Sequence, residues 1–318
     1  MADHLFSGET ALATPSAQVF SHTMEIASIE LYPIRAQGGV SPKMALGSMP
    51  TRPALLVKLT DTDGCYGWGE VWANFPPRAN IHKAHLIQDV VAPKLAGLRF
   101  TEPQEIQQSL RSSLSTYFLH IGQQHVFEHI LAGLDIAAWD LALRNAGRSF
   151  AQHLGLAASS AATYASSINA ADLDRLMPLH SAAGQTHFKL KIGLDDEADK
   201  AFLKRASDIC PAGSDIMVDS NQSWHLDRAI SVLIDLEEFE LAFAEEPIRA
   251  DAAVADWEKL ASATTTPLAG GENIYGIESF LRMASAGMKV LQPDVAKWGG
   301  VSGSLQLAST LPEGTSLW

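Results

Sequence analysis

The 318-residue chain is 47% apolar, which is enough to build a large hydrophobic core and more than one domain. Its formal net charge of -13 argues against nucleic acids and anionic membranes as partners, because both require a basic surface. The two cysteines, Cys65 and Cys210, provide neither a disulfide framework nor a metal-binding spacing, and no apolar run approaches transmembrane length. We therefore predict a cytoplasmic protein that binds neither nucleic acid nor membrane.

The first part of the chain predicts an extension followed by a domain of mixed strands and helices. Residues 1–23 have neither the basic start nor the apolar stretch of a secretory signal, and we expect a flexible extension. Strands are predicted at 24–35 and 54–60, and helical segments follow from about 80 to 147. Residues 24–150 are therefore predicted to form an α+β domain.

One helical segment of this domain carries a motif typical of zinc sites, His125-Val-Phe-Glu128-His129. Its two histidines lie four residues apart, so both side chains would point to one face of a helix. The motif nevertheless falls in the first domain, far from the acidic cluster described below, and His and Glu also suit a solvated helix face. We therefore reject zinc binding at this position.

Residues 151–318 alternate between strand-like and helical segments, which predicts a parallel β/α barrel. One strand, THFKLKIG at 186–193, places Lys189 and Lys191 two residues apart, so both ammonium groups emerge on the same face. Two lysines inside a barrel are rarely structural, because burial and mutual repulsion must be offset by carboxylates or a bound anion. The pair is therefore a candidate for a chemical role.

Three further strand-like runs each end on an acidic residue, namely Asp219, Glu245 and Glu272. These residues follow one another at intervals of 26 and 27 residues, which is the length of one strand plus one helix. Carboxylates at the C-terminal ends of successive parallel strands converge at the mouth of a barrel. Three clustered carboxylates need a cation, and an all-oxygen set suits Mg²⁺ better than zinc. The sequence therefore predicts a magnesium site.

Together these motifs resemble the mandelate racemase and muconate lactonizing enzyme family of the enolase superfamily. The resemblance lies in Lys189-Leu190-Lys191, in the acidic strand ends and in the segments VDSNQSW, EEPI and GGEN around them. It implies that the α+β domain is a capping domain, whose loops at 36–52 and 71–79 select the substrate, and that a modified TIM-like barrel follows. It also implies Mg²⁺ as cofactor and a small carboxylic acid as substrate, and we expect a homo-oligomer.

The resemblance implies a role for each of the charged residues at the barrel mouth. Asp219, Glu245 and Glu272 would be the metal ligands. Lys191 would be the base that removes the α-proton of the substrate, and Lys189 would neutralise the substrate carboxylate and the growing oxyanion.

Asp294 lies at the end of the sixth predicted strand, where racemase-type members of the family carry an aspartate and muconate-type members carry a lysine. The aspartate favours the racemase type and would serve the opposite face of the substrate. The expected reaction removes the α-proton of a 2-hydroxy or sugar acid through an enediolate, followed by dehydration, racemisation or epimerisation. A muconate-type cycloisomerase stays an alternative.

Three more polar residues are candidates to support the site. Asn221 and Glu246 are expected to orient the ligands, with satisfaction of local backbone groups as the alternative. Lys297 is either a structural partner of the carboxylates or a member of the site. The pair Gly299-Gly300 favours a turn over a phosphate-binding loop.

The end of the sequence lacks one residue that the family pattern requires. In racemase-type members the aspartate of the sixth strand works with a histidine on the seventh, and no histidine follows His225 here. We therefore expect a chain truncated at its C-terminus and a barrel incomplete there, with a partial seventh strand and no eighth. A catalytically inactive remnant that retains metal binding is the alternative function.

Overall fold

The computed structural model describes residues 19–37, 43–44, 47–48, 51–156 and 162–318. Most of the predicted N-terminal extension and most of the first predicted capping loop lie outside these ranges. The described residues form an antiparallel sheet covered by helices, followed by a parallel sheet that alternates with helices. The domain boundaries predicted at residues 23 and 150 stay predictions.

An antiparallel sheet in the order β5-β4-β1-β6 organises the first domain, and β2 and β3 form a separate antiparallel pair. In β4, fully buried Leu55, Val57 and Leu59 alternate with partly exposed residues, which is the pattern of a strand with one face in the core. The strands are β1 (Met24–Gln37), β2 (Lys43–Met44), β3 (Gly47–Ser48), β4 (Thr51–Asp61), β5 (Tyr66–Val71) and β6 (Arg99–Phe100).

The longest helix of the first domain lies directly on this sheet. A Cβ atom on Gly69 of β5 would lie 2.0 Å from the carbonyl oxygen of Gly133, so only glycine allows the helix to approach the strand this closely. A π-helical turn, Ile87–Val91, joins the first two helices. The helices are α1 (Ala79–Leu86), α2 (Ala92–Leu95), α3 (Gln104–His120), α4 (Gln124–Asn145) and α5 (Phe150–His153).

The second domain is a curled parallel sheet of seven strands within the described residues, and the strands follow one another in chain order. The strands are β7 (Ala165–Ile168), β8 (His187–Lys191), β9 (Asp215–Asp219), β10 (Ala244–Glu245), β11 (Leu268–Gly270), β12 (Met288–Leu291) and β13 (Ser316–Leu317). The helices between them are α6 (Leu173–Ala182), α7 (Asp196–Ile209), α8 (Leu226–Asp235), α9 (Val254–Ala263), α10 (Ile277–Ser285) and α11 (Gly300–Ala308). The predicted fold class, an α+β domain followed by an incomplete β/α barrel, is confirmed.

The pleat of the strands separates two apolar clusters in the second domain. Phe188, Leu190 and Val218 belong to the large cluster that also includes the buried residues of the surrounding helices. Met217 and Phe243 belong to a smaller cluster against which Tyr164 and Trp318 pack. Since side chains alternate along a strand, the lysines on either side of Leu190 share the face opposite to it.

No helix within the described ranges combines the length and the apolar composition that crossing a membrane requires.

Candidate active site

The C-terminal ends of β8, β9 and β10 place the lysine pair beside two of the predicted carboxylates. In the parallel register Lys191 pairs with Asp219, and Asp219 pairs with Glu245. Paired positions of neighbouring parallel strands lie side by side, so the register gathers these charges at one end of the sheet. Glu272 lies in the loop that follows β11, at the same end.

Lys189 is buried within this group and is surrounded by carboxylates. Its Nζ atom lies 2.5 Å from Glu245 Oε2, 3.8 Å from Asp219 Oδ2 and 4.9 Å from the ring centroid of Tyr164. Burial lowers the pKa of Lys189, but the carboxylates of Glu245 and Asp219 outweigh it and hold this pKa above its ordinary value. Lys189 therefore stays a cation.

Lys191 occupies a more open position on the same face. Its Nζ donates hydrogen bonds to Asp219 Oδ2 and, over 2.9 Å, to Asn221 Oδ1. The backbone N–H of Asn221 donates in turn to Asp219 Oδ1 over 2.9 Å. The side chain of Lys191 is 23% exposed, compared with 7% for Lys189. Of the two lysines, Lys191 is therefore the one that a molecule at the mouth can reach.

Two uncharged residues that the sequence analysis missed also contact this group. Gln292 is buried and donates from Nε2 to Glu245 Oε2 over 2.9 Å. Tyr164 Oη lies 3.4 Å from both Lys189 Nζ and Gln292 Nε2. The position of Gln292 directly after β12 could have identified it, because strand ends carry the chemistry in this architecture. No comparable signal marks Tyr164, which precedes β7.

Glu272 is the most open of the three carboxylates, and its ammonium partner Lys297 is buried. The side chain of Glu272 is 43% exposed, and Lys297 Nζ lies 3.5 Å from Glu272 Oε1 and 3.2 Å from Asn273 Oδ1. Asn273 donates from Nδ2 to Glu246 Oε1 over 2.8 Å. Burial, together with the nearby carboxylate of Glu272, raises the pKa of Glu246 to about 7. Glu246 therefore contacts the loop that carries Glu272 through Asn273.

Asp294 follows β12 and begins a turn at the same end of the sheet. Its backbone oxygen accepts from the N–H groups of Lys297 and Trp298, each over 2.9 Å. Its Oδ1 atom accepts from the N–H of Ala296 over 2.9 Å, and the residue is half-buried. One carboxylate oxygen of Asp294 thus organises the turn that carries Lys297.

Asp219, Glu245 and Glu272 fit a magnesium ion in donor chemistry. They offer carboxylate oxygen atoms at three consecutive strand ends, and Mg²⁺ prefers such ligands. Within the part of the chain that the structure describes, no three His, Cys, Asp or Glu side chains are grouped closely enough to hold a metal ion as they stand. Each of the three carboxylates instead contacts a lysine ammonium group. The three residues are therefore matched to a cation in both charge and donor type.

The histidines of the HVFEH motif contact a tyrosine of the second domain. The ring of His125 stacks on that of Tyr275 with centroids 4.3 Å apart, and His129 Nε2 lies 3.0 Å from Tyr275 Oη. Glu128 forms a two-pronged ion pair with Arg111 over 2.5 and 2.7 Å. The four-residue spacing of the histidines thus serves a contact between the domains.

The Gly299-Gly300 pair forms a turn that admits a side chain of the first domain. Both glycines lie in the left-handed region, with φ of 74° and 58°. A Cβ atom on Gly300 would lie 2.4 Å from Asp135 Oδ2, which accepts from the N–H of Ser302 over 2.9 Å. Gln107 donates from Nε2 to the backbone oxygen of Gly299 over 2.6 Å. The first domain therefore holds the start of α11 from two of its own helices.

Two family models match the chain, one described as "Mandelate racemase / muconate lactonizing enzyme, N-terminal domain" over residues 23–155 and one as "Enolase C-terminal domain-like" over residues 172–311. A D-galactonate dehydratase from Verminephrobacter eiseniae is 30% identical over 268 residues, which are 80% of this chain and 68% of that protein. Other relatives carry the names of cycloisomerases and of o-succinylbenzoate synthases. The chain is therefore similar in sequence to enzymes named as dehydratases, cycloisomerases and o-succinylbenzoate synthases.

Solved structures show the same similarity. A mandelate racemase/muconate lactonizing enzyme from Bordetella bronchiseptica is 32% identical with a TM-score of 0.81, and the match covers 93% of this chain and 87% of that one. An enolase from Bradyrhizobium, complexed with magnesium and mandelic acid, shares the fold with a TM-score of 0.81 at 24% identity, over 94% of this chain and 82% of that one.

The prediction of a C-terminally truncated chain is not borne out by these comparisons. It rested on the absence of a histidine after His225. In the structure the ring of Trp318 packs against those of Tyr164 and Phe243, with centroids 5.9 and 5.8 Å apart, beside the small apolar cluster of the sheet.

Proposed function

Because the chain belongs to the mandelate racemase and muconate lactonizing enzyme family of the enolase superfamily, we propose that it removes the α-proton of a small carboxylic acid in a magnesium-dependent reaction. The substrate would be a 2-hydroxy or sugar acid, and the enediolate would go on to dehydration, racemisation or epimerisation. The position of Lys191 carries the proposal, since its partly exposed side chain lies next to the buried carboxylate of Asp219 at a strand end.

The proposed metal ligands are Asp219, Glu245 and Glu272. When bound, magnesium would stabilise the negative charge that develops on the substrate carboxylate during deprotonation. The three carboxylates come from three successive strands, so they approach the substrate position from different directions.

Two neighbouring residues would orient these ligands. Asn221 holds Asp219 through the hydrogen bond from its backbone N–H to Oδ1, which is 2.9 Å long. Glu246 holds the Glu272 loop through Asn273, whose Nδ2 lies 2.8 Å from Glu246 Oε1 and 3.2 Å from Glu272 Oε1. Residues of this kind fix the direction of the ligand oxygen atoms.

The two lysines would divide the proton chemistry between them. Lys191 is exposed enough to meet the substrate and would accept the α-proton at Nζ. Lys189 is buried, stays charged and would stabilise the substrate carboxylate and the oxyanion. Asp294 would act on the opposite face of the substrate, where a second proton transfer or the departure of a hydroxyl group decides the product.

Exchange of the α-proton in heavy water, followed by NMR over a panel of 2-hydroxy and sugar acids, tests this proposal directly. We expect metal-dependent exchange with at least one acid and a loss of about 10²- to 10⁴-fold in Lys191→Ala, the usual contribution of a positioned base. Lys58→Ala is the control, because Lys58 pairs with Glu30 in the first domain over 2.7 Å. Equal exchange by the wild type and Lys191→Ala would remove Lys191 from the reaction.

The magnesium site has its own readout in the thermal midpoint of unfolding. Adding magnesium should raise this midpoint in the wild type, because an ion that binds only the folded state stabilises it. Glu245→Gln should abolish the rise, and a chelator should reverse it in the wild type. A rise of equal size in Glu245→Gln would contradict the proposed ligand set.

A cycloisomerase is the second candidate, and the position of Lys297 favours it. The Nζ atom of Lys297 lies 3.5 Å from Glu272 Oε1, and Lys297 follows the sixth barrel strand, the strand on which muconate-type members carry their lysine. The two candidates differ in their expected mutant behaviour. Asp294→Asn should abolish a dehydratase or racemase and spare a cycloisomerase, whereas Lys297→Met should abolish a cycloisomerase and only weaken a dehydratase or racemase.

A further inference from the structure

A chain of buried hydrogen bonds runs from the first domain into the loop after β11. Lys83 Nζ, on α1, donates to the backbone oxygen of Trp72 and lies 2.8 Å from His129 Nδ1. The other ring nitrogen of His129, Nε2, lies 3.0 Å from Tyr275 Oη. Tyr275 stands three residues after Glu272, the proposed ligand. This series of hydrogen bonds therefore joins the segment after β5 to the loop that carries Glu272.

Burial determines the protonation of Lys83 and His129 in this series of hydrogen bonds. Lys83 is 3% exposed and His129 is 6% exposed. Burial, together with the nearby Lys297, lowers the pKa of Lys83 to about 7, and burial followed by the charge of Lys83 lowers that of His129 to about 2. A neutral His129 can accept at Nδ1 from Lys83 and donate from Nε2 to Tyr275, so each group in the chain has a defined role.

The partners of Lys83 distinguish it from a lysine that serves stability alone. A backbone oxygen and a neutral imidazole provide no negative charge to offset the burial of an ammonium group. The amine nevertheless contacts Trp72 twice, since its Nζ also lies 4.9 Å from the centroid of the indole ring. Lys83 thus fixes both the backbone and the ring of Trp72.

The indole of Trp72 stands at the barrel mouth. Lys297 Nζ lies 4.9 Å from the same ring centroid, and this Nζ is the one that contacts Glu272. Ammonium groups prefer the face of an indole, so the ring helps to fix the position of the Lys297 amine. The position of Trp72 is therefore coupled to the Lys297–Glu272 ion pair.

We propose that Lys83 is a positioning residue, which sets the Trp72 indole against Lys297 and links the docking of the first domain to the loop that carries Glu272. The inference rests on the proposed function, because it assigns Lys83 an effect on the same reaction. Lys83 itself touches neither the proposed metal ligands nor the substrate position, and it acts only through Trp72 and the His129–Tyr275 contact.

Steady-state kinetics of the exchange reaction test the inference. Lys83→Met keeps the length of the side chain and removes the amine, and we expect kcat/KM to fall by about tenfold to a hundredfold with most of the loss in KM. Tyr275→Phe removes only the hydroxyl and should shift KM in the same direction by less. The double variant should lose no more of kcat/KM than Lys83→Met alone, because the two groups belong to the same series of hydrogen bonds. Lys58→Met is the matched control and should match the wild type.

Amide hydrogen exchange supplies a second readout that needs no activity. Lys83→Met should raise exchange in residues 72–78 and 273–277, and Lys58→Met should not. If the wild-type protein exchanges the α-proton of none of the acids, the proposed function is wrong. Amide hydrogen exchange would still test the inference about Lys83. Folded Lys83→Met with wild-type KM, or with unchanged amide exchange in both segments, would overturn it. If Lys83→Met does not fold, the same two measurements on Tyr275→Phe decide.

Discussion

The two sides of the candidate site are built by different parts of the molecule. The lysine side consists of Lys189, Lys191, Asp219 and Glu245, and the loop side consists of Glu272, Asp294 and Lys297. The strand register of the barrel fixes the lysine side directly. The loop side is formed by the segments after β11 and β12, which contact the first domain through Tyr275 and Gly300. The barrel therefore fixes the lysine side, and the first domain contacts the side on which the proposed reactions would differ.

The two sides also differ in how their charges are solvated. On the lysine side the carboxylates of Asp219 and Glu245 are 1% and 6% exposed, whereas Glu272 on the loop side is 43% exposed. A buried charge that loses its partner has no water to replace it, while an exposed charge does. Stability should therefore depend on the lysine side far more than on the loop side.

Replacing a lysine by methionine on each side tests this difference, and it gives the largest effect that we expect. Lys189→Met leaves Glu245 buried without its ammonium partner, and we expect the free energy of unfolding to fall by about 3–5 kcal/mol. Lys297→Met is the matched control, because its partner Glu272 can turn to water, and we expect a loss of about 1 kcal/mol. Urea denaturation in the absence of magnesium measures both. Equal losses in the two variants would contradict the division into two sides.

A methyl group on Gly300 should break the contact of the first domain with the loop side. Its φ of 58° disfavours any side chain, and the added Cβ would lie 2.4 Å from Asp135 Oδ2. We expect Gly300→Ala to lower the free energy of unfolding by about 2–3 kcal/mol and to reduce α-proton exchange in the folded fraction. Gly122→Ala provides the control, since Gly122 has a φ of 66° with no atom within 4 Å of a new Cβ.

The control separates backbone strain from the contact with Asp135. Gly122→Ala should lose only the backbone contribution, which is about 1 kcal/mol. The effect of Gly300→Ala should shrink in part in an Asp135→Ala background, because the contacts with Oδ2 and Cγ at 2.4 and 2.8 Å are then gone while the contact with Cβ at 2.7 Å remains. If Gly300→Ala behaves like Gly122→Ala in both stability and activity, the turn does not transmit the position of the first domain to the site.

Much of the lysine side could be predicted from sequence because local rules determine it. A strand places Lys189 and Lys191 on one face, and a spacing of one strand plus one helix brings Asp219 and Glu245 to neighbouring strand ends. These relationships need no knowledge of how the domains pack. The same rules predicted the order of the two domains and the curled parallel sheet.

The domain contacts could not be predicted, because they join residues far apart in sequence. Asp135 meets Ser302, and His129 meets Tyr275. The HVFEH motif illustrates the difficulty, since its helical spacing was visible but its partner was not. Burial of Lys83 was equally hidden, because its neighbours along α1 resemble those of a surface lysine. Tertiary packing, not local pattern, assigns these residues their partners.

The pH dependence of stability provides the smallest expected effect and tests the buried chain that leads to the loop side. The pKa of Lys83 is lowered to about 7 in the folded protein from an ordinary value of 10.5. Between these values the unfolded chain binds a proton that the folded protein does not, so the free energy of unfolding rises with pH. This contribution should amount to about 1 kcal/mol between pH 7 and pH 8.

Lys83→Met removes this contribution while it leaves the other titrating groups in place. The difference in the free energy of unfolding between wild type and Lys83→Met should therefore shift in favour of the wild type by about 1 kcal/mol from pH 7 to pH 8. Lys58→Met should show no such shift over this interval. A constant difference for Lys83→Met would mean that Lys83 stays protonated in the folded protein. An ammonium group, and not a neutral amine, would then lie between Trp72 and His129.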